Sequence, residues 1–246
     1  MNYLKSALIA LQFLTQIPVT FKQYPNVKTQ GGSLIFYPLI GLLIGALLSL
    51  SGWLLADSAN LLSAAIILTL WVVITGALHI DGLADSCDAW IGGHGDKTRS
   101  LDIMKDPASG PIAVVMVVCM LLLKLAAIHA VLVSHNYLLL IAAPLIARSL
   151  LPFLLLLTPY VRENGIGAKM VANAPKKQVY ISAAVGLVLA SLLGSLSVTL
   201  LAGLSVVGLR SLMLKRLDGL TGDTAGASVE LLETLVVIAL VISFGL

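Results

Sequence analysis

The sequence predicts an all-α, polytopic integral membrane bundle of about six to seven transmembrane helices, with an N-terminal helix lying in the membrane interface. Three observations carry that expectation. The 246 residues are 59% apolar and only 11% charged, with a mean hydropathy of +1.01. Apolar runs long enough to cross about 30 Å of hydrocarbon recur along the chain, and helices of roughly 20 residues do so with every backbone group satisfied. Of the 15 Lys and Arg residues, thirteen are gathered in or beside alternate connections.

Taken in order, residues 3–17 are apolar but carry Lys5, Gln12 and Gln16 and stop at Pro18, which suits an interfacial helix. A cleaved signal peptide is the weaker alternative, because the charged start is thin and no small-residue cleavage site follows. Seven spans are expected at residues 34–56, 61–80, 112–133, 138–158, 179–196, 198–214 and 231–246, the last three being short. Thirteen Lys and Arg residues fall before the first span or beside the inner ends of the second, fourth and sixth. The connections between them, near residues 57–60, 134–136 and 196–197, have none. By the positive-inside rule the N-terminus and the loops 81–110, 159–178 and 215–230 face the cytoplasm, in a multi-pass protein of the cytoplasmic (inner) membrane.

That topology accounts for the net charge of +3 and the pI near 8.9. No basic stripe with interleaved aromatics points to nucleic acid; membrane lipid is the expected surrounding. With no repeat of fixed period and no low-complexity linker, residues 1–246 read as one integral membrane domain. Cys87 and Cys119 are read as small packing residues, since neither a disulfide nor a zinc spacing fits.

Against this background the acids are informative. Asp81, Asp85 and Asp88 stand four and seven apart, so in a helix they share one face. Carboxylates near hydrocarbon are costly and three together repel, so a cation among them is the simplest compensation. A solvated helix end at the membrane surface is the plainer alternative. Gly82 and Ala84 would let a ligand or another helix approach closely.

A second cluster holds Arg99, Asp102, Lys105 and Asp106, with both acids on one face and positive charge that suits an anionic ligand or ordinary salt bridges equally. The Gly92–Gly93–His94–Gly95 run before it reads as a plain turn. In a third cluster, Thr221-Gly222-Asp223 through Glu230, Asp223 and Glu230 are seven apart. A helix cap would explain Thr221 and Asp223 but leave Glu230 without a role. Hard oxygen donors suit Mg²⁺, and histidine is too sparse for zinc; His79, His94, His129 and His135 have core or surface roles. Lys124 and Arg148 lie at similar depth in adjacent spans and either snorkel, reach an acid elsewhere or touch a substrate.

At these residues the chain resembles a known family. His79-Ile80-Asp81-Gly82-Leu83-Ala84-Asp85, the segment Asp102-Ile103-Met104-Lys105-Asp106, and Leu220-Thr221-Gly222-Asp223-Thr224-Ala225-Gly226-Ala227 through Glu230 look like cobalamin synthase, also called adenosylcobinamide-GDP ribazoletransferase. The similarity covers nearly the whole chain and keeps the order of all three motifs. Asp218 stands where a glycine is expected, and Ser109-Gly110-Pro111-Ile112 replaces a Gly-Thr-containing turn; neither departure removes a carboxylate.

The resemblance implies a Mg²⁺-dependent transferase that joins adenosylcobinamide-GDP to α-ribazole or its 5′-phosphate and releases GMP. For that reaction the expected division of roles puts Mg²⁺ on Asp81, Asp85 and Asp88, with Asp223 or Glu230 completing the site, and leaves Asp102 or Asp106 as the general base with Lys105 beside them as catalytic residues. Arg99, Lys105, Thr221 and Gly222 are the substrate contacts it suggests. An equally plausible division makes Asp88 the base and Asp102 a metal ligand. The implied catalytic face is built from the three cytoplasmic loops, and a homo-oligomer is left open. A loose likeness to the Asp-Gly motif of CDP-alcohol phosphotransferases serves as analogy only. The rival class, an ion-coupled transporter, predicts acids near the bilayer midplane and an internal repeat; a membrane scaffold leaves the grouped acids unexplained.

Overall fold

The computed structural model describes residues 2–56, 58–162 and 165–246. The elements are α1 (Tyr3–Leu14), α2 (Val27–Gly31), a 3-10 turn (Gly32–Phe36), α3 (Tyr37–Leu54), α4 (Asn60–Thr75), α5 (Leu78–Gly92), α6 (Lys97–Ile103), α7 (Pro111–Val133), α8 (Leu139–Leu157), α9 (Ile166–Ala172), α10 (Lys176–Leu193), α11 (Leu196–Leu217) and α12 (Gly222–Phe244). No strand forms among the described residues; one isolated bridge joins Tyr160 to Leu220.

Among the described residues six stretches are long and apolar enough to cross a membrane: Val27–Leu54, α7, α8, α10, α11 and α12. Their outer surfaces carry leucine and valine, as on α10 and α11, where Val185, Leu192, Leu200 and Leu204 are exposed. A flank of this kind is stable only against lipid or another apolar partner. The innermost helix is α8, 89% buried. It lies tight on α3 because Gly41 and Gly45 bring the two backbones together: a Cβ on Gly41 would fall 2.5 Å from the Pro144 carbonyl oxygen, and one on Gly45 2.6 Å from Ile141 Cα. The short α1 is the apolar N-terminal helix that the sequence suggested.

Two elements differ from the expected spans. The second, residues 61–80, is broken at Gly76 and Ala77, and α4 and α5 meet at 86°. Both break residues are left-handed, φ 61° and 55°. Ala77 N–H donates to the Val72 carbonyl and Gly76 N–H to that of Val73, a helix stop for which glycine is suited. A side chain at Gly76 would also strike Gln16, whose own N–H donates to the Ile74 carbonyl at 2.7 Å, so the segment after α1 seals the corner. The acids of the first cluster therefore ride on a separate helix, set across the end of α4. The last span begins at Gly222, nine residues before the expected start, because Thr221 and Thr224 form a reciprocal capping box. What was expected as part of a loop is the first two turns of α12.

Asp218, the departure from the family pattern, has φ 58° and ends α11. Glycine adopts that conformation without steric cost, which explains why it is expected there. Asp218 instead pairs with Lys97 at 2.7 Å, an exposed contact.

Candidate active site

The site is made where α5 crosses α12. Gly82 sits against the backbone of Asp223: a Cβ there would lie 2.6 Å from the Asp223 carbonyl oxygen and 3.2 Å from its Cα. Gly226 faces back onto the Cα atoms of His79 and Gly82. This closeness brings Asp81 and Asp85 of α5 beside Asp223 of α12. Gly82→Ala is accordingly expected to lower stability by about 1–3 kcal/mol, as overpacking of tight contacts does. Thermal unfolding in detergent measures it, and an unchanged transition would show that the crossing has slack.

A third strand of chain joins them. Val161 N–H donates to the Leu220 carbonyl at 2.9 Å, and Leu220 N–H to the Pro159 carbonyl at 2.8 Å. Gly219 lets the two segments touch, since a Cβ there would meet the Pro159 oxygen at 2.3 Å. The pairing delivers Arg162, whose Nη1 lies 3.1 Å from Asp223 Oδ2. It also delivers Tyr160, which with Asp81, Gly82, Gly222, Asp223 and Gly226 lines a cavity of about 180 Å³. Apolar walls from Phe13, Leu14, Leu151, Leu155 and Met170 complete the cleft.

The electrostatics follow from the crowding. Burial, Asp81, Asp223 and Asp88 push the Asp85 carboxyl up to about 6, with Arg162 opposing. Burial and Asp223 raise the Tyr160 phenol as well. The donor set is hard oxygen, as Mg²⁺ requires, yet among the described residues no three His, Cys, Asp or Glu side chains converge on one point. That arrangement fits an ion held through one or two carboxylates with the remaining positions left to water and phosphate, the usual habit of Mg²⁺.

Several expected site residues are placed elsewhere. Asp88 accepts hydrogen bonds from the backbone N–H groups of Gly110 and Ala113, the latter at 2.9 Å, and so caps α7. Gly110 is needed there because a Cβ would crowd that carboxylate. Thr221 is fully buried, its hydroxyl accepting from Thr224 N–H at 3.2 Å, so it serves the cap and not a substrate. Gly222 does line the cleft. Arg99, Asp102 and Asp106 border a separate, open depression on α6. Lys105 pairs with Asp102 at 3.2 Å in solvent, and Asp106 accepts from Ala108 N–H at 2.9 Å. Met104, the residue after α6, is buried against Ala89 and Leu217.

Glu230 is the largest correction. It is buried and takes Lys124 Nζ at 2.8 Å. Lys124 also reaches Glu233 at 2.9 Å and lies 4.0 Å over the Trp71 ring. Glu233 pairs in addition with Arg148 and accepts from Trp71 Nε1 at 3.2 Å. Two cations and two anions thus neutralise each other inside the bundle. This settles the alternatives for Lys124 and Arg148: they reach acids elsewhere. Sequence reasoning overlooked Glu233, Arg162 and Tyr160. Glu233 had a signal, because two lone cations in apolar spans call for two acids at matching depth. Arg162 and Tyr160 had none, since only the contact of residues 159–161 with 219–221 places them.

The sequence model of the family described as Cobalamin-5-phosphate synthase matches residues 6–241. The chain belongs to that family. It is 50% identical over 241 residues to an adenosylcobinamide-GDP ribazoletransferase of Stutzerimonas stutzeri, covering 97% of this chain and 98% of the relative. The proteins of the same name from Pseudomonas aeruginosa and Acinetobacter baumannii are 47% and 43% identical, the alignments covering 96% of this chain and 98% and 96% of the relatives. No solved structure matches the chain. The family match spans α5, the 159–161 segment and the start of α12 together, so the cleft lies wholly within it.

Proposed function

We propose that the chain is an adenosylcobinamide-GDP ribazoletransferase of the inner membrane. It joins adenosylcobinamide-GDP to α-ribazole or α-ribazole 5′-phosphate, forming adenosylcobalamin or its 5′-phosphate and releasing GMP, the late assembly step of cobamide biosynthesis. The observation that carries this reading is the meeting of α5 with α12 and the 159–161 segment, which puts Asp81 and Asp223 in the wall of one cleft, with Arg162 paired to Asp223 and Asp85 close enough to feel both acids. The names of the relatives supply the substrates. The distribution of Lys and Arg supports a cleft that faces the cytoplasm, with lipid against the apolar flanks.

In the proposed reaction a ribose hydroxyl of the ribazole attacks the corrinoid-side phosphorus. The bond from that phosphorus to the bridging oxygen breaks, and GMP leaves with the oxygen. A 5′-phosphate on the acceptor blocks its 5′-oxygen, so the attacking group is a ring hydroxyl. Asp81 and Asp223, which line the cleft from two helices, would hold Mg²⁺. Bound there, it supplies neutralisation of the diphosphate charge. Arg162, steadied by Asp223, offers guanidinium donors to the phosphate of the leaving GMP. The hydroxyl proton goes to Asp85, one turn beyond Asp81, whose carboxyl at about 6 is matched to a base working near neutrality.

The sign of the pH dependence follows. Asp85 serves only when ionised, so kcat/KM is expected to fall about tenfold per pH unit below about 6. Asp85→Asn should lose that acid limb along with most of its rate; a limb that survives the substitution belongs to another group. The reading itself is tested by incubating the protein in liposomes with adenosylcobinamide-GDP and α-ribazole 5′-phosphate, with and without Mg²⁺. GMP release that depends on both substrates and on Mg²⁺ is expected. Absence of GMP with everything present would sink the activity, and equal release after chelation would sink the metal.

A further inference from the structure

His79 has no part in the chemistry so far, yet it is a buried residue that lines the cleft two positions before Asp81. Its Nδ1 lies 3.5 Å from Arg148 Nη2. A guanidinium can only donate, so Nδ1 must present its lone pair, and the single ring proton then sits on Nε2. A second proton, on Nδ1, would set N–H against N–H beside a permanent positive charge. Arg148 cannot easily turn away, because Glu233 holds it and is itself held by Lys124 and Trp71. The ring is therefore oriented by groups from four other helices, α4, α7, α8 and α12.

We infer that His79 is a positioning residue whose neutral Nε2–H, fixed by Arg148, donates to a phosphate oxygen of the diphosphate substrate in the cleft. The inference rests on the reading of this cleft as the adenosylcobinamide-GDP site. Nε2 is the one ring nitrogen that Arg148 leaves free, and no hydrogen bond joins it to another described residue. The two carboxylates in the cleft wall, Asp81 and Asp223, repel phosphate, and Arg162 is already engaged by Asp223, so a further donor in the wall, on the α5 side, adds to what Arg162 and Tyr160 supply. A neutral donor does so without adding a charge that repels the cation; a histidine kept neutral so that its N–H can donate to substrate is known from triosephosphate isomerase, where it polarises a carbonyl.

A purely structural histidine needs only its acceptor for Arg148, and two substitutions separate the roles. His79→Asn places an amide oxygen near the Nδ1 position and keeps that acceptor, while His79→Gln carries an amide N–H toward the Nε2 position. We expect H79N to lose at least about tenfold in kcat/KM for adenosylcobinamide-GDP, the scale of a lost hydrogen bond to a charged group. KM for α-ribazole 5′-phosphate should be unchanged, and H79Q should stay within about fivefold of the unaltered protein. Wild-type kinetics in H79N, or equal losses in H79N and H79Q, would overturn the inference. Such a result leaves the proposed function standing as long as the unaltered protein releases GMP. A second measurement needs no kinetic variant: in ¹⁵N-histidine spectra His79, assigned by the signal missing from H79Q, should be protonated at Nε2 only. That resonance should move when adenosylcobinamide-GDP and Mg²⁺ are added. An Nδ1-protonated ring, or an Nε2 signal indifferent to substrate, overturns it if H79N fails to fold.

Discussion

Asp81→Ala and Asp85→Ala are each expected to reduce GMP release by about a hundred- to a thousandfold while both proteins insert and fold. The size follows from the chemistry asked of the site. Transfer to a diphosphate leaves little covalent work for the protein, so rate enhancement comes from placing charge and removing a proton; loss of one preorganised electrostatic contact costs about 10²–10³ in kcat. Folding should survive because Asp81 is exposed and Asp85 only half-buried, and neither makes a hydrogen bond or ion pair with another described side chain. Removing Asp85 even relieves repulsion from Asp81 and Asp223. The two variants should differ in one respect: Asp81→Ala loses Mg²⁺ affinity, and Asp85→Ala keeps it. Turnover and calorimetric Mg²⁺ titration decide the matter together. Near-normal turnover in either variant removes the catalytic assignment, and loss of Mg²⁺ in both makes Asp85 a ligand.

The second large effect is expected far from the cleft mouth. Lys124→Ala should destabilise the protein by about 3–5 kcal/mol, because it strands a negative charge among Glu230 and Glu233 in the apolar interior. Lys124→Met with Glu230→Gln should recover most of the loss, since it removes a cation and an anion together and leaves Arg148 to balance Glu233. Unfolding in detergent followed by tryptophan fluorescence suits the measurement, as Trp71 lies against Lys124. Equal stability of Lys124→Ala and the unaltered protein would mean that water enters the bundle and screens these charges. Glu230→Gln adds a sharper point: it should cost stability and leave Mg²⁺ affinity untouched, the reverse of what a metal ligand would do.

The transporter alternative fares badly on the same geometry. Acids do lie inside the bundle, contrary to the impression that they all gather at one surface, but Glu230 and Glu233 are matched by Lys124 and Arg148. A carboxylate that carries an ion must be free to release its partner, and these are each held by cations fixed in other helices.

The class of the protein, most of its spans and the resemblance that led to its family were legible in the residues, because hydropathy and helical period are properties of a local stretch of chain. The pairing of Asp81 with Asp85 was legible for the same reason, being a matter of four residues on one helix. Other assignments failed where a local pattern has several outcomes in space. Asp88 keeps the heptad spacing of the acidic face yet caps α7, and Glu230 keeps its spacing from Asp223 yet neutralises a lysine. Asp102 and Asp106 were expected to share a helical face, but α6 stops at Ile103, so Asp106 falls beyond the helix and both border an open depression apart from the cleft.

By itself, then, the sequence determined a helical membrane protein with acids near one end of its spans. Which acids meet was decided only by tertiary structure. The corner at Gly76 and Ala77 lays α5 across the bundle, Gly82 brings it onto Asp223, and Gly219 draws in the segment bearing Arg162. A carboxylate has the same spelling whether it caps a helix, balances a buried cation or faces a cleft. Its role is set by the neighbours that backbone crossings place within a few ångströms, and those crossings are contacts between residues far apart in the chain.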